Sequence, residues 1–194
     1  VSLPKITMLG DSLTAGYGLR VHEALPVRLQ AHLEALGRPA SVIDAGVSGD
    51  TTADGLRRMD RAVPADTDLC IVALGANDMM QLLPTEGISR NLDAILRRLA
   101  DRSIPAMVCG MRAPPWFGLY AMAFDGLFGE VARRHGAAFD PFLLEGIALD
   151  PAFALADRIH PNAAGVERMA RRLAPRVVEA LDTVLLQPSS DARS

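Results

Sequence analysis

Short apolar runs alternate with helical stripes along most of this chain. Ile6 to Leu9, Val42 to Ala45, Leu69 to Leu74, Ala106 to Cys109 and Ala137 to Phe139 are short, mostly apolar, often β-branched runs, the pattern of buried strands. Between them apolar positions recur every three or four residues. Leu25, Leu29, Leu33 and Leu36 fall on one helical face, as do Ile88, Leu92, Ile95, Leu96 and Leu99. A last helix carries Val166, Met169, Leu173, Val177, Leu181 and Val184 inward, with Asn162 as its N-cap. Strand and helix in repeated alternation predict an α/β fold, a parallel sheet covered by helices on both faces.

The chain has 194 residues, enough to bury a core without disulfide or metal staples. No repeat or internal boundary interrupts the pattern. A single domain over residues 1–186 is expected, followed by a polar, frayed tail at 187–194. Hydrophobic residues make up 49%, charged ones 22%, and the net charge is -3. Lys5 is the only lysine, and the pairs Arg57-Arg58, Arg97-Arg98, Arg133-Arg134 and Arg171-Arg172 are scattered. They read as solvated helix faces, so nucleic acid is not an expected partner. No stretch reaches the roughly 18 apolar residues of a membrane span. No charged-then-apolar leader precedes Lys5, and the chain starts at Val1 rather than methionine. A removed leader, with a periplasmic or secreted location, is expected ahead of a cytoplasmic one. Cys70 and Cys109 lie inside strands and read as buried free thiols. No heptad or isolated apolar stripe suggests an oligomer, so a monomer is expected.

The chemistry lies at the strand ends. Ser12 follows the first strand in Gly10-Asp11-Ser12-Leu13, and Asp157-Arg158-Ile159-His160 follows the fifth. A serine hydroxyl is a poor nucleophile until an imidazole takes its proton, and the imidazole needs a partner on its other nitrogen. Ser12, His160 and Asp157 have the side chains for those three roles. Gly49 follows the second strand and Asn77 the third. All five residues would lie beyond the carboxyl ends of strands, where ligands bind in open α/β sheets. The bland alternative for each is a turn glycine, a capping asparagine, or a loop histidine anchored by an aspartate. His22, His32 and His135, in or beside helical patterns without a partner motif, take that bland reading. Asp11 and Asp78 read as structural, bonding nearby backbone or loops.

Four blocks in order, Gly10-Asp11-Ser12-Leu13, Ser48-Gly49-Asp50-Thr51, Gly75-Ala76-Asn77-Asp78 and Asp157-Arg158-Ile159-His160-Pro161, resemble the GDSL or SGNH hydrolase superfamily. The resemblance runs from about Lys5 to Leu186 and is nearest to small bacterial thioesterases, arylesterases and lysophospholipases. It implies a flavodoxin-like three-layer α/β/α fold around a five-stranded parallel sheet. It also implies catalytic roles for Ser12, Asp157 and His160, an oxyanion hole made by the Ser12 amide, Gly49 and Asn77, and no metal or organic cofactor. Ala76 stands where relatives often have a second glycine, which affects only the shape of that turn. Thr14 stands where the Gly-x-Ser-x-Gly elbow of α/β-hydrolases would need a glycine, which argues against that fold.

Two apolar stretches are candidate walls for an acyl group. Met79-Met80-Gln81-Leu82-Leu83-Pro84 follows Asn77, and Met111 to Met122, with Pro114, Pro115, Trp116 and Phe117, follows the fourth strand. Both read as loops whose methionines and aromatics make an adaptable surface, with ordinary packing as the alternative. The resemblance implies that the first moves on ligand binding. The expected reaction is acyl transfer to water from a small-molecule ester or thioester. The alternatives are a carbohydrate acetylesterase or a catalytically silent flavodoxin-like binding domain. A phosphoacceptor receiver is disfavoured, because it needs a late lysine and an aspartate ending the third strand.

Overall fold

The computed structural model describes residues 2–186, so the expected tail at 187–194 lies outside the described residues. Five strands, β1 (Lys5–Gly10), β2 (Ser41–Gly46), β3 (Leu69–Ala73), β4 (Ala106–Cys109) and β5 (Ala138–Asp140), form one sheet. Its order is β2-β1-β3-β4-β5, and every neighbouring pair is parallel. The residues that read as consecutive apolar runs are the central strands. Every residue of β3 is buried, as are Ile6 to Gly10 of β1, whereas the edge strand β2 is half exposed.

Among the described residues, seven α-helices cover the sheet: α1 (Ser12–Ala15), α2 (Leu25–Ala35), α3 (Thr52–Ala62), α4 (Ala76–Met80), α5 (Thr85–Asp101), α6 (Leu119–Arg134) and α7 (Ala163–Leu186). α2 packs against α7, while α3 packs on α5 and α5 on α6, which gives the three layers. The stripes foreseen for α5 and α7 face the core, with Val184 half-buried at the end of the last one. Leu36 does not. It falls one residue past α2 and is exposed, because the helix ends at Ala35 and the chain turns away through Gly37. Asn162 caps α7 as expected: its Oδ1 accepts from Gly165 N at 2.9 Å. α3 left no apolar signature, because its buried face consists of Thr52, Gly55 and Met59. Cys70 and Cys109 are buried free thiols.

Parallel order fixes where the chain can put a site. From β1 it runs to β2 on one side, then returns across β1 to β3, so the connections diverge at the carboxyl ends of β1 and β3 and open a crevice there. A single residue, Asp11, separates the end of β1 from the start of α1. That abrupt turn needs two close approaches. A Cβ on Gly10 would lie 2.1 Å from Thr14 Oγ1, and one on Gly46 would lie 2.5 Å from Ala15 N and 2.8 Å from Asp11 O.

From inside the first half of α7, Arg172 donates to both carboxylate oxygens of Asp140, at 2.6 and 2.8 Å. Asp140 is fully buried at the end of β5, so the pair ties the last strand to the last helix and fixes both ends of segment 141–162 between them. A buried carboxylate without this partner would be strongly destabilising.

The contacts at Gly46 are mostly to backbone, which cannot swing aside. Gly46→Ala is therefore expected to destabilise the fold by about 1–3 kcal/mol, as overpacking does, read from the midpoint of urea unfolding. An unchanged midpoint would mean that α1 is free to shift.

Candidate active site

Ser12 is the first residue of α1, its N-cap is Asp11, and it is 8% exposed at the mouth of the crevice. The Asp11 side chain accepts from Leu13 N at 2.9 Å. His160 reaches Ser12 from the other end of the sequence, with Nε2 3.1 Å from Oγ. Its Nδ1 lies 2.6 Å from Asp157 Oδ2. The other oxygen of Asp157 accepts from Ile159 N at 2.9 Å and His160 N at 3.0 Å. A carboxylate that takes three N–H donors is stabilised in its charged form. The His160 ring and these two backbone groups hold Asp157 down at about 2. It is anionic at any ordinary working pH and fixes the proton on Nδ1, leaving Nε2 to face the hydroxyl.

The loop carrying the pair is short and self-closed. Ala154 pairs with Pro161 in an antiparallel bridge, Leu155 N donates to His160 O at 2.8 Å, and Arg158 N donates to Leu155 O at 2.9 Å. Arg158 takes a left-handed φ of 59°, which sharpens the turn and puts Asp157 beside the ring three residues on. The Tyr17 ring lies over the imidazole, with centroids 4.3 Å apart.

Gly49 is the third residue of the turn Val47-Ser48-Gly49-Asp50, closed by Asp50 N donating to Val47 O at 3.1 Å. Its φ of 89° is what a type II turn demands at that position, and glycine supplies it without strain. Among the described residues, the backbone N–H groups of Gly49 and Ser12 have no hydrogen-bond acceptor. Asn77 lies in α4, with Nδ2 donating to Asp50 O at 2.9 Å and standing 3.4 Å from Asp11 Oδ2. An amide nitrogen has two hydrogens. One is bonded to the turn that holds Gly49, and the second makes only the longer contact. Asp50 in turn accepts from Arg58 Nε at 2.5 Å, and Arg58 Nη2 donates to Gly10 O at 2.9 Å.

Asp78 is structural, as read: fully buried, it accepts from Thr52 N at 2.9 Å and Thr52 Oγ1 at 2.6 Å, locking α4 to α3. His32 bonds Glu167 and His135 bonds Asp93, away from the crevice. Met79 and Met80 were expected in a loop but are in α4, because the turn that presents Asn77 continues as helix until Gln81. The second stretch is likewise not all loop. It is irregular up to Gly118 with a short 3-10 turn at Pro115–Phe117, and from Leu119 it is the first turn of α6. Pro114 and Phe117 are half-buried, while Met80, Leu82 and Trp116 are exposed. The Tyr120 hydroxyl donates to Leu83 O at 2.9 Å and joins the two stretches. Tyr17, Asp50, Arg58 and Tyr120 were not singled out from sequence. The Gly16-Tyr17-Gly18 sandwich just past the nucleophile was the one signal available.

A cavity of about 620 Å³ lies elsewhere, at the amino ends of β3 to β5, lined by residues such as Leu96, Met107 and Phe139. Size alone would favour it, but His135 there is engaged with Asp93, and among the described residues no hydrogen bond joins it to Ser103 or Thr183, the hydroxyls on the cavity wall. The motif residues meet instead at the carboxyl ends of the strands, where His160 bridges Asp157 and Ser12. Among the described residues, no group of three or more His, Cys, Asp or Glu side chains is arranged to hold a metal ion, and no helix is long and apolar enough to cross a membrane.

Burial pushes the Asp11 carboxyl up from 3.8 to about 6, against the opposing pull of Leu13 N–H and the His160 charge. The folded state thus holds this proton more tightly than the unfolded chain. The resulting stability is fully present below about pH 4 and is lost as pH rises through about 6. Asp11→Asn removes that dependence and should gain on the order of 3 kcal/mol on the parent between those limits. Urea unfolding of both proteins across the range checks this, and parallel profiles would contradict it.

Comparison with known proteins places this arrangement. The family described as GDSL-like lipase/acylhydrolase matches residues 8–168. The arylesterase of Vibrio mimicus is 31% identical over 179 residues, 91% of this chain and 90% of the relative. Esterase TesA of Pseudomonas aeruginosa is 30% identical over 172 residues, 88% of this chain and 86% of that one. Among solved structures, the SGNH-hydrolase family esterase AlinE4 is 40% identical with a TM-score of 0.78, covering 93% of this chain and 98% of its own. TesA is 29% identical with a TM-score of 0.85, covering 91% and 99%. The fold and the family expected from the four motif blocks are the ones found: the chain belongs to the GDSL-like lipase/acylhydrolase family.

Proposed function

We propose that the protein is a serine esterase that hydrolyses carboxylic esters or thioesters through an acyl-serine intermediate. The observation that carries this reading is the His160 imidazole held between Asp157 Oδ2 at 2.6 Å and Ser12 Oγ at 3.1 Å. His160 Nε2 takes the Oγ proton as Oγ attacks the acyl carbon. The imidazolium then returns that proton to the departing alcohol or thiol, leaving the acyl group on Ser12. Water then attacks the acyl carbon as it gives a proton to Nε2, and the imidazolium returns that proton to Ser12 Oγ as the C–Oγ bond breaks and the acid leaves. Asp157, anionic throughout, stabilises the imidazolium without taking its proton.

The carbonyl oxygen becomes negative at both tetrahedral stages and needs donors already in place. The Ser12 and Gly49 N–H groups and the second Asn77 N–H are the three we assign. The Asn77 bond to Asp50 O fixes the amide plane, so no reorganisation is needed when charge develops. Oxygen esters and thioesters pass through the same oxyanion, and the relatives' names span this range, from arylesterase to thioesterase 1/protease 1/lysophospholipase L1 of Escherichia coli. Those names lend no support to a carbohydrate acetylesterase or a silent binding domain.

The acyl group is assigned to the surface formed by Met79, Met80, Leu82, Pro114, Trp116 and Phe117. Its exposed side chains suit an open groove along which chains of different length can lie. Lengthening the acyl chain of p-nitrophenyl esters should then lower KM while changing kcat less. A KM independent of chain length would remove these residues from binding.

With the same esters, Ser12→Ala and His160→Ala should lose turnover, and Asp157→Ala should be milder. Asn77→Ala should fold normally yet fall roughly a hundred- to thousandfold in kcat, the usual loss for one oxyanion donor. Full activity of Ser12→Ala would sink the mechanism, and near-parent turnover by Asn77→Ala would take that side chain out of the hole.

A further inference from the structure

Two hydrogen bonds do not fix an imidazole completely. Asp157 holds Nδ1 and Ser12 meets Nε2, but the ring can still turn about the line through these two nitrogens, which leaves Nε2 in place and swings its in-plane lone pair off Ser12 Oγ. The loop that bears it does little to prevent this. Asp157, Arg158 and Ile159 are all exposed, and His160 itself is only half-buried.

The face of the ring has a partner on the nucleophile's side. Tyr17 lies over His160 with centroids 4.3 Å apart and planes 35° from parallel, although Tyr17 is 53% exposed. Its position is tied to that of Ser12, because Gly16 N and Tyr17 N both donate to Ser12 O, at 3.0 and 3.2 Å. Left-handed glycines flank it, Gly16 at φ 80° and Gly18 at φ 74°, a backbone that other residues adopt only with strain. A Cβ on Gly18 would come within 2.7 Å of Leu155 Cδ1, and Leu155 N is bonded to His160 O at 2.8 Å. The segment just past α1 thus meets the base loop at two places, Tyr17 on the ring and Gly18 on Leu155.

We infer that Tyr17 is a positioning residue for the ester hydrolysis proposed above: its ring clamps the face of His160 and keeps Nε2 directed at Ser12 Oγ. The inference rests on the serine mechanism. The aromatic face also suits the charge that appears on the imidazole as it takes the Oγ proton, since a cation over a π-face is attracted by the ring quadrupole. The phenol oxygen has no part in this role, so a phenyl ring should serve.

The experiment compares Tyr17→Ala, Tyr17→Leu and Tyr17→Phe with the parent on p-nitrophenyl acetate, whose short acyl group limits contact with the apolar wall. Ser12→Ala and a thermal unfolding curve are run alongside. Misplacement of a reacting group typically costs up to about a hundredfold. Tyr17→Ala is expected to lower kcat about ten- to hundredfold with KM within about threefold, and to slow labelling of Ser12 by a fluorophosphonate in parallel. Tyr17→Phe should recover most of the rate, and Tyr17→Leu should not.

An unchanged kcat in Tyr17→Ala, or an effect confined to KM, overturns the inference. Recovery by Leu equal to that by Phe overturns it as well, because bulk rather than an aromatic face would then suffice. A Ser12→Ala protein that still turns over esters counts against the serine mechanism itself. An inactive Ser12→Ala beside a fully active Tyr17→Ala removes only the role of Tyr17.

Discussion

The first strand turns into a helix across a single residue, Asp11, and that turn is possible only because two glycines leave space for it. Gly10 lets Thr14 fold back against the end of β1, and Gly46, on the neighbouring strand, lets the backbone of α1 pass over β2. The result places Ser12 at the start of a one-turn helix at the mouth of the crevice, where β2 and β3 diverge on either side of β1. The remaining site groups are arranged around that point. The turn that holds Gly49 leaves β2, the helix that holds Asn77 leaves β3, and the amide-to-carbonyl bond from Asn77 to Asp50 joins them across the crevice.

Two carboxyl groups near the serine are driven in opposite directions by their surroundings. Asp11 is buried beside the nucleophile with one strong donor, and loss of water dominates, raising it to about 6. Asp157 lies at the surface with three donors and falls to about 2. Sequence proximity to Ser12 favours Asp11, yet the residue that touches the base is Asp157. Environment has separated a carboxylate that stays charged beside His160 from one that resists charge under Ser12, a division of labour common where two acids serve one site.

Much of this was legible from residue order alone. Mostly apolar runs marked all five strands, the central ones because a strand buried on both faces can hold little else, and the ends moved by only one residue. Motifs behind those strands marked Ser12, Gly49, Asn77, Asp157 and His160, because parallel topology gives strand ends a common address. The misses have physical causes. α3 buries threonine, glycine and one methionine against its neighbours, so it offered no hydrophobic stripe. Met79 and Met80 read as loop because a five-residue helix is too short to show a period. Tyr17 carried no signal beyond the glycines on either side of it, because its contact with His160 spans most of the chain and depends on their left-handed backbone, whose effect is visible only in three dimensions.

The base and its carboxylate sit three residues apart on a loop that closes on itself through the Ala154–Pro161 bridge and the left-handed Arg158. The reactive centre therefore has a single seam. On one side is the buried sheet with its serine. On the other is a surface cartridge that carries the base already bonded to its carboxylate, suspended between the end of β5 and the start of α7. Leu143 and Ile147 anchor the connecting stretch 141–153 in the core, so a change there acts at once on the packing of the sheet and on how the two halves meet.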